Sequence, residues 1–398
     1  MRVGVLTGGG DCPGLNAVIR AVVRKGIGTH GFEFVGFRDG WKGPLEGLTM
    51  ELGIDQVHGI LPRGGTILGS SRTNPFKVDG GVERIQENLE KHNVDALIAI
   101  GGEDTLGVAT KLDSLGVNVV GVPKTIDNDL NGTDFTFGFD TAVQIATEAI
   151  DRLHTTAESH HRVMVCEVMG RHAGWIAAAA GLAADEETDL PVVILFPEIV
   201  FAADRFLARV ERAVRRYGYC SVVVSEGVRD ADGHFLSDQG LRDAFGHAQL
   251  GGVAPVIAQL IKQGLGLKYH WAVADYLQRA ARHVASKTDV LQAYATGKAA
   301  VEVALKGRNS VMPAIKRVSN RPYKWKIEIA ELKHVANKEK FMPRDFISED
   351  GFGITAKCRQ YLTPLIQGED YPPYKNGLPQ YVRLKNVGVK KKLGEFKL

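Results

Sequence analysis

Short apolar runs alternate with longer stretches that keep a helical rhythm of polar and apolar positions, and this alternation fills most of the chain. The runs Val3–Thr7, Glu33–Phe37, Ala96–Ile100, Val117–Val122, Arg162–Val168, Val192–Phe196 and Ser221–Ser225 predict strands. Asn16–Lys25, Val82–His92, Thr141–Thr156 and Ala203–Tyr217 predict amphipathic helices between them. Several of the strands are apolar at nearly every position, as a parallel sheet needs when helices cover both its faces. The fold class is therefore α/β, doubly wound. Lys268–Leu305 reads as a further strand and helix returning to the first domain. Past Pro322 the pattern turns to mixed β signals, a helix over Ile354–Ile366 and a close rich in Pro, Tyr and Gly, expected to pack as an extension on the second domain. A chain of 398 residues is too long for one ordinary core and suits two. The expected boundaries are 1–137 with about 273–305, and 138–272 with about 306–398.

Composition narrows the classes. A net charge of +3 leaves no broad field for nucleic acid. No apolar run approaches the roughly 20 residues that span a bilayer. The chain enters VGVLTGGG without a signal-peptide pattern, so a cytoplasmic protein is expected. Cys12, Cys166, Cys220 and Cys358 are scattered and form no CxxC pair, which fits a reducing compartment and no structural zinc. The spacings of His154, His160, His161 and His172 also suit no standard zinc site. The acidic run Asp185–Asp189 reads as a solvated loop, and Lys390, Lys391, Lys392 and Lys397 as a solvated basic terminus.

Four loops carry candidate chemistry, each expected at a strand end. Gly8–Asn16 (GGGDCPGLN) lies between a strand and a helix, where glycine amides and a helix amino end suit an anion; a ligand-free glycine turn would look the same. Gly69–Thr73 (GSSRT) offers Arg72 behind small hydroxyl residues, a phosphate grip or a surface arginine. Gly101–Leu106 (GGEDTL) places Glu103 and Asp104 after a glycine pair, a set suited to Mg²⁺ with phosphate co-ligands, or to a solvated turn. Pro123–Asp129 (PKTIDND) brings Asp127, a carboxylate able to take the proton of an attacking hydroxyl, between Thr125 and Asn128.

These motifs, with SHHRVMVCEVMGRHAG and SEG, occur in the order and approximate spacing of the phosphofructokinase family, which the chain resembles over at least residues 1–230 and more loosely over Lys268–Gly307. The resemblance implies two doubly wound, Rossmann-like domains, one for the phosphoryl donor and one for fructose 6-phosphate. It implies that Asp127 is the general base, that Gly9, Gly10 and Arg72 hold the donor, and that Glu103, with Asp104, meets the metal, the family more commonly having Asp at the Glu103 position. Thr125, Met169, Gly170, Arg171 and Glu226 match sugar-binding positions, and Arg162 matches an arginine that reaches the neighbouring subunit's substrate, implying a homo-oligomer, dimer or tetramer. Tyr276-Leu277-Gln278-Arg279 resembles the family's substrate loop, with Tyr276 replacing a histidine, Arg279 kept, and Lys268 available to compensate at the 6-phosphate.

In ATP-using relatives two positions are glycine where this chain has Asp104 and Lys124. Asp104 would repel an α-phosphate, and Lys124 would hold the terminal phosphate of pyrophosphate and the departing phosphate. The resemblance is therefore to the pyrophosphate-dependent branch, the alternatives being an ATP-dependent kinase and a non-enzymatic phosphosugar-binding regulator. Retention of Glu103, Asp127 and Asp129 speaks against the regulator. PKTIDND and VMGR likewise speak against NAD or diacylglycerol kinases, which share a GGDGT-like loop. Ile54 stands about where allosteric relatives carry an effector-binding arginine, so little response to nucleotide effectors is expected.

Overall fold

The computed structural model describes residues 1–184, 191–238, 240, 245–246, 250–280, 285–335 and 339–380. The acidic run Asp185–Asp189 and the basic terminus lie outside the described residues. Every predicted strand forms within two residues of its expected ends: β1 (Arg2–Thr7), β2 (Glu33–Phe37), β4 (Ala96–Gly101), β5 (Val119–Pro123), β6 (Val163–Val168), β7 (Val192–Leu195) and β8 (Cys220–Ser225). Added to them are β3 (Thr49–Glu51), β9 (Tyr269–Val273), β10 (Val311–Asn320) and β11 (Tyr323–Glu331). The expected helices also form, over Leu15–His30, Gly81–Lys91, Phe139–Ser159 and Ala203–Tyr217.

The strands build two sheets. The first has the order β11-β10-β5-β4-β1-β2-β3, with β10, β5, β4, β1 and β2 parallel and both edges antiparallel. The second has the order β7-β8-β6-β9 and is parallel throughout. The central strands β1, β4, β5, β6 and β8 are buried at almost every residue because helices cover both faces.

One expectation is corrected. The chain beyond about 306 was expected to build on the second domain, yet β10 and β11 extend the first sheet from the β5 edge. The cause is the preceding helix, Lys287–Leu305, which lies on helix Leu15–His30 so closely that a Cβ on Gly297 would stand 2.7 Å from the Val18 carbonyl. The chain leaves that helix beside β5, the nearest free edge. Strand β9, at the start of the same segment, stays in the second sheet beside β6. From 339 onward the chain crosses to the second half. Ile354 fills the space over Gly181, and the Phe352 carbonyl accepts the Ile194 N–H at 2.9 Å. The expected helix Ile354–Ile366 is shorter, Ala356–Leu362 followed by a 3-10 turn at Thr363–Leu365.

Candidate active site

In the first sheet the chain leaves β1 toward β2, and later leaves β4 toward β5 on the other side, so the order reverses between adjacent β1 and β4. Loops beyond the carboxyl ends of these two strands diverge and leave a crevice, the usual ligand site of such sheets. Three predicted loops meet there. The Gly8 N–H donates to Ile100 O at 2.9 Å, the Gly9 N–H donates to Ser71 O at 3.2 Å, and the Ser70 hydroxyl donates to Gly9 O. Thr105 lies beneath the junction: a Cβ on Gly8 would stand 2.5 Å from its Oγ1, and a Cβ on Gly101 2.3 Å from its Cβ. Only glycine at both positions lets the two strand ends close on this threonine. Helices Leu15–His30 and Glu103–Asp113 both start at the crevice, so their amino ends add positive potential to it.

Glu103 and Asp104 occupy the first turn of the second of these helices. They offer hard oxygen ligands beside the glycine loop, and Asp127 Oδ1, buried without a hydrogen-bond partner, is one more oxygen in want of a partner. Among the described residues no group of three His, Cys, Asp or Glu side chains at metal-binding spacing includes them; the one such group is Asp230, Asp232 and His234 on the surface. A divalent cation held by Glu103 and Asp104 fits this donor set if donor phosphates complete its shell. Of the clustered histidines, His172 pairs with Glu339 at 3.3 Å.

The fourth loop joins the third. The Lys124 N–H donates to Gly101 O at 3.0 Å, and its side chain is buried, with Nζ donating to Gly10 O. A Cβ on Gly9 would stand 3.8 Å from Nζ, so the ammonium lies against the backbone of the glycine loop. Burial holds its pKa below the usual lysine range. Next along, the Asp127 N–H donates to Thr125 Oγ1 at 3.1 Å, and Thr136 Oγ1 donates to Thr125 O at 2.8 Å, folding the turn back on itself. Burial, together with the charges of Asp129 and Glu226, pushes the Asp127 carboxyl up to about 8 against the pull of Arg171 and Arg279.

Those last partners come from the second sheet. Met169, Gly170 and Arg171 follow β6, and Glu226 follows β8. The Gly170 N–H donates to Glu226 Oε1 at 3.4 Å. Gly170 sits at φ 132°, and a Cβ there would stand 2.7 Å from Ala173 O. Burial raises the Glu226 pKa while Arg171 opposes it. Arg279, expected on the sugar side, also closes on the donor loop: Nη2 pairs with Asp11 Oδ1 at 3.3 Å, and the guanidinium lies 4.9 Å from the centre of the exposed Tyr276 ring. The carboxyl ends of both sheets thus face one cleft, and one carboxylate, Asp127, senses charges from each side.

Arg162 does not join the cleft. It precedes β6, whereas Arg171 follows it, and six strand residues separate them by about 20 Å. Lys268 precedes β9 and accepts the Val163 N–H, so it stands at the Arg162 end of the sheet. The expectation that Lys268 compensates in the pocket of Tyr276 and Arg279 is therefore corrected, because β9 carries it to the opposite end.

Two acidic residues were missed. Glu167 lies buried in β6 and takes the N–H groups of Gly252 at 3.1 Å and Ala254 at 2.9 Å, capping helix Val253–Leu265. An acid inside the otherwise apolar run VMVCEV was its visible signal, since a buried carboxylate must be satisfied. Glu198 accepts the Gly174 N–H at 2.9 Å and the Met342 N–H at 3.0 Å, and nothing in the sequence pairs those segments.

The family model described as Phosphofructokinase matches residues 2–304. The chain belongs to the phosphofructokinase family. It is 52% identical over 373 residues to the pyrophosphate–fructose 6-phosphate 1-phosphotransferase of Methylococcus capsulatus, covering 89% of each protein. The crystal structure of pyrophosphate-dependent phosphofructokinase from Nitrosospira multiformis superposes with a TM-score of 0.87 at 45% identity, over 100% of this chain and 99% of that one. A family member described as ATP-dependent 6-phosphofructokinase 3, from Streptomyces coelicolor, is 47% identical over 317 residues, covering 79% of this chain and 91% of that protein. Among the described residues no helix is long and apolar enough to cross a membrane.

Proposed function

We propose that this chain transfers a phosphoryl group reversibly from pyrophosphate to the 1-hydroxyl of fructose 6-phosphate, giving fructose 1,6-bisphosphate and phosphate. The observation that carries the donor choice is the Lys124 ammonium against the Gly9–Gly10 backbone, where a nucleotide's inner phosphates would otherwise lie. Asp104, in the first turn of its helix, adds a negative charge on the same side of the crevice. In the forward direction Asp127 takes the proton as the sugar hydroxyl oxygen attacks the terminal phosphorus. The bridging P–O bond breaks, and phosphate leaves with its new charge facing Lys124. In reverse, protonated Asp127 returns the proton to the sugar oxygen. Gly9, Gly10 and Arg72 hold the donor; Thr125, Met169, Gly170, Arg171, Glu226, Tyr276 and Arg279 orient the sugar phosphate. Mg²⁺, held by Glu103 and Asp104 with the donor phosphates, would neutralise phosphate charge.

Arg162, at the far end of the second sheet, cannot reach the cleft of its own subunit, which supports a homo-oligomer in which it serves a neighbour's sugar phosphate. Mixing two inactive variants, Arg162→Ala and Asp127→Asn, tests this: shared sites regain activity because one subunit supplies each missing group. No recovery on mixing counts against sharing.

The Streptomyces coelicolor relative keeps ATP in view as the donor. Initial rates with fructose 6-phosphate and Mg²⁺, comparing pyrophosphate with ATP, decide the matter. Turnover with ATP alone would leave the reaction class intact and overturn the roles given to Asp104 and Lys124.

A further inference from the structure

Residues 339–342 of the C-terminal extension run across the back of both catalytic loops. Leu130 and Glu339 form an antiparallel bridge, and the Lys340 N–H donates to Asp129 O at 2.7 Å. The Lys340 side chain then turns into the loop. Its Nζ donates to Asn128 Oδ1 at 2.9 Å, Asp134 O at 3.0 Å and Thr133 O at 3.2 Å. An ammonium has three N–H groups, and each finds an acceptor here. One cation thereby ties residue 128 to residues 133 and 134, closing the turn that follows Asp127.

That turn needs holding. Asn128 is buried at φ 52°, a left-handed backbone that a side-chain-bearing residue keeps only where its surroundings over-determine it. The same strap grips the opposite loop. Trp175 Nε1 donates to Lys340 O at 3.3 Å, His172 pairs with Glu339, and Glu198 takes both the Met342 and Gly174 N–H groups. His172 and Gly174 belong to the turn that carries Arg171. The strap therefore sets the distance between the loop of the base and the loop of the sugar-side arginine.

We propose that Lys340 is a positioning residue for phosphoryl transfer, holding the Asn128–Asp134 turn so that Asp127 meets the sugar hydroxyl in register with Arg171. This rests on the reading of Asp127 as the base, and gives the extension a part in the reaction. Lys340 also places a positive charge near Asp129, which bears in turn on Asp127. Burial, the largest effect, holds the Lys340 pKa down to about 7, with Asp129 and Asp134 favouring the ammonium and Lys316 opposing it; the three acceptors fix the side chain's position.

The test compares full-length Lys340→Met, Lys340→Arg and Asp127→Asn with the parent, under saturating Mg²⁺ and pyrophosphate. A displacement near 1 Å at a reacting group can cost about 10²-fold in rate, so Lys340→Met should lose about 10- to 100-fold in kcat with KM for both substrates within about threefold. Lys340→Arg, keeping the charge and donors, should recover a substantial part of kcat. A Lys340→Met enzyme with parental kcat, beside an inactive Asp127→Asn, overturns the inference and leaves the base in place. An active Asp127→Asn overturns the base and the inference with it. Equal losses in the Met and Arg variants that follow only the folded fraction overturn positioning in favour of a structural strut. Should Lys340→Met fail to fold, Asn128→Gly serves instead. It keeps the left-handed backbone, removes one acceptor, and should lower kcat about tenfold with KM unchanged. An unchanged kcat there overturns the proposal.

Discussion

Replacing Asp104 and Lys124 together by glycine should convert the donor preference from pyrophosphate to ATP. Lys124 is 5% exposed, so solvent screens its ammonium little, and its Nζ lies 3.8 Å from where a Gly9 Cβ would be. Two unit charges about 4 Å apart interact by about 4 kcal/mol at an effective dielectric near 20. Each 1.4 kcal/mol is about tenfold, so losing the Lys124 attraction for pyrophosphate should lower kcat/KM for that donor by about 10³-fold. Removing the Asp104 carboxylate should relieve a repulsion of similar size on an α-phosphate and raise ATP turnover by about 10²- to 10³-fold. Lys124→Gly alone should lose pyrophosphate turnover without gaining ATP turnover, and Asp104→Gly alone should gain ATP turnover while losing only the part of pyrophosphate turnover that its hold on the metal supports. The assay is initial velocity with each donor, and KM for fructose 6-phosphate is the check that the sugar side is intact. A double variant that keeps pyrophosphate turnover and gains none with ATP, at unchanged sugar KM, refutes the reasoning for both residues.

Asp127→Asn should lose about 10³-fold or more in kcat, since a general base contributes about 10²- to 10⁴-fold, while fructose 6-phosphate binding measured by calorimetry persists. The same change should stabilise the free protein at high pH. The Asp127 pKa is raised from 3.8 to about 8, so between those values the folded state holds the proton more tightly than the unfolded state, and stability falls as pH rises. The Asn variant should therefore melt close to the parent at pH 4 and above it at pH 9; an equal melting difference at both pH values refutes the shift. Glu167→Ala should cost about 3 kcal/mol by urea denaturation, because it strips a charged acceptor from two N–H groups at the start of helix Val253–Leu265. Addition of ADP should leave the rate with pyrophosphate unchanged, Ile54 being an exposed apolar side chain; strong activation would contradict this.

The cleft was legible because its parts are local. β1, β4, β5 and β8 are largely apolar runs that stop at Gly, Pro or Ser, β6 passes through Met169 before its glycine, and the chemistry sits in the next few residues of each, so reading strand ends also reads the site. The clash of Gly8 and Gly101 with Thr105 shows why the motif needs its glycines, although the threonine's part is visible only once the strands are paired. What escaped was non-local. Strands β10 and β11 join the first sheet because helix Lys287–Leu305 delivers them there, and no periodicity in their residues names a partner. Lys340 lies in ANKEKF, where several charges make each look like part of a solvated face; three backbone and side-chain acceptors from residues 128–134 single it out. Arg162 and Arg171 are near neighbours in sequence, yet the length of β6 sends them to opposite ends of the sheet.

The electrostatics of the cleft bear on direction as well as rate. A reaction that exchanges one phosphoryl bond for another of comparable energy runs both ways, so its proton-transfer group must accept a proton in one direction and return it in the other. A carboxyl with the ordinary value of 3.8 would be a weak base at neutral pH and hardly ever protonated. Burial and the neighbouring acids Asp129 and Glu226 move Asp127 to about 8, where both forms are well populated near neutrality and proton transfer is matched to the medium. The opposing cations come from the sugar-side loops, Arg171 and Arg279, and a bound sugar phosphate would occupy those same cations. Substrate binding should then reduce their pull on Asp127 and strengthen it as a base once there is a hydroxyl to deprotonate. On this argument the acid limb of kcat/KM for fructose 6-phosphate follows the Asp127 pKa of the free enzyme, near 8, and substituting Glu226 by Gln, which removes one of the raising charges, should move that limb to lower pH.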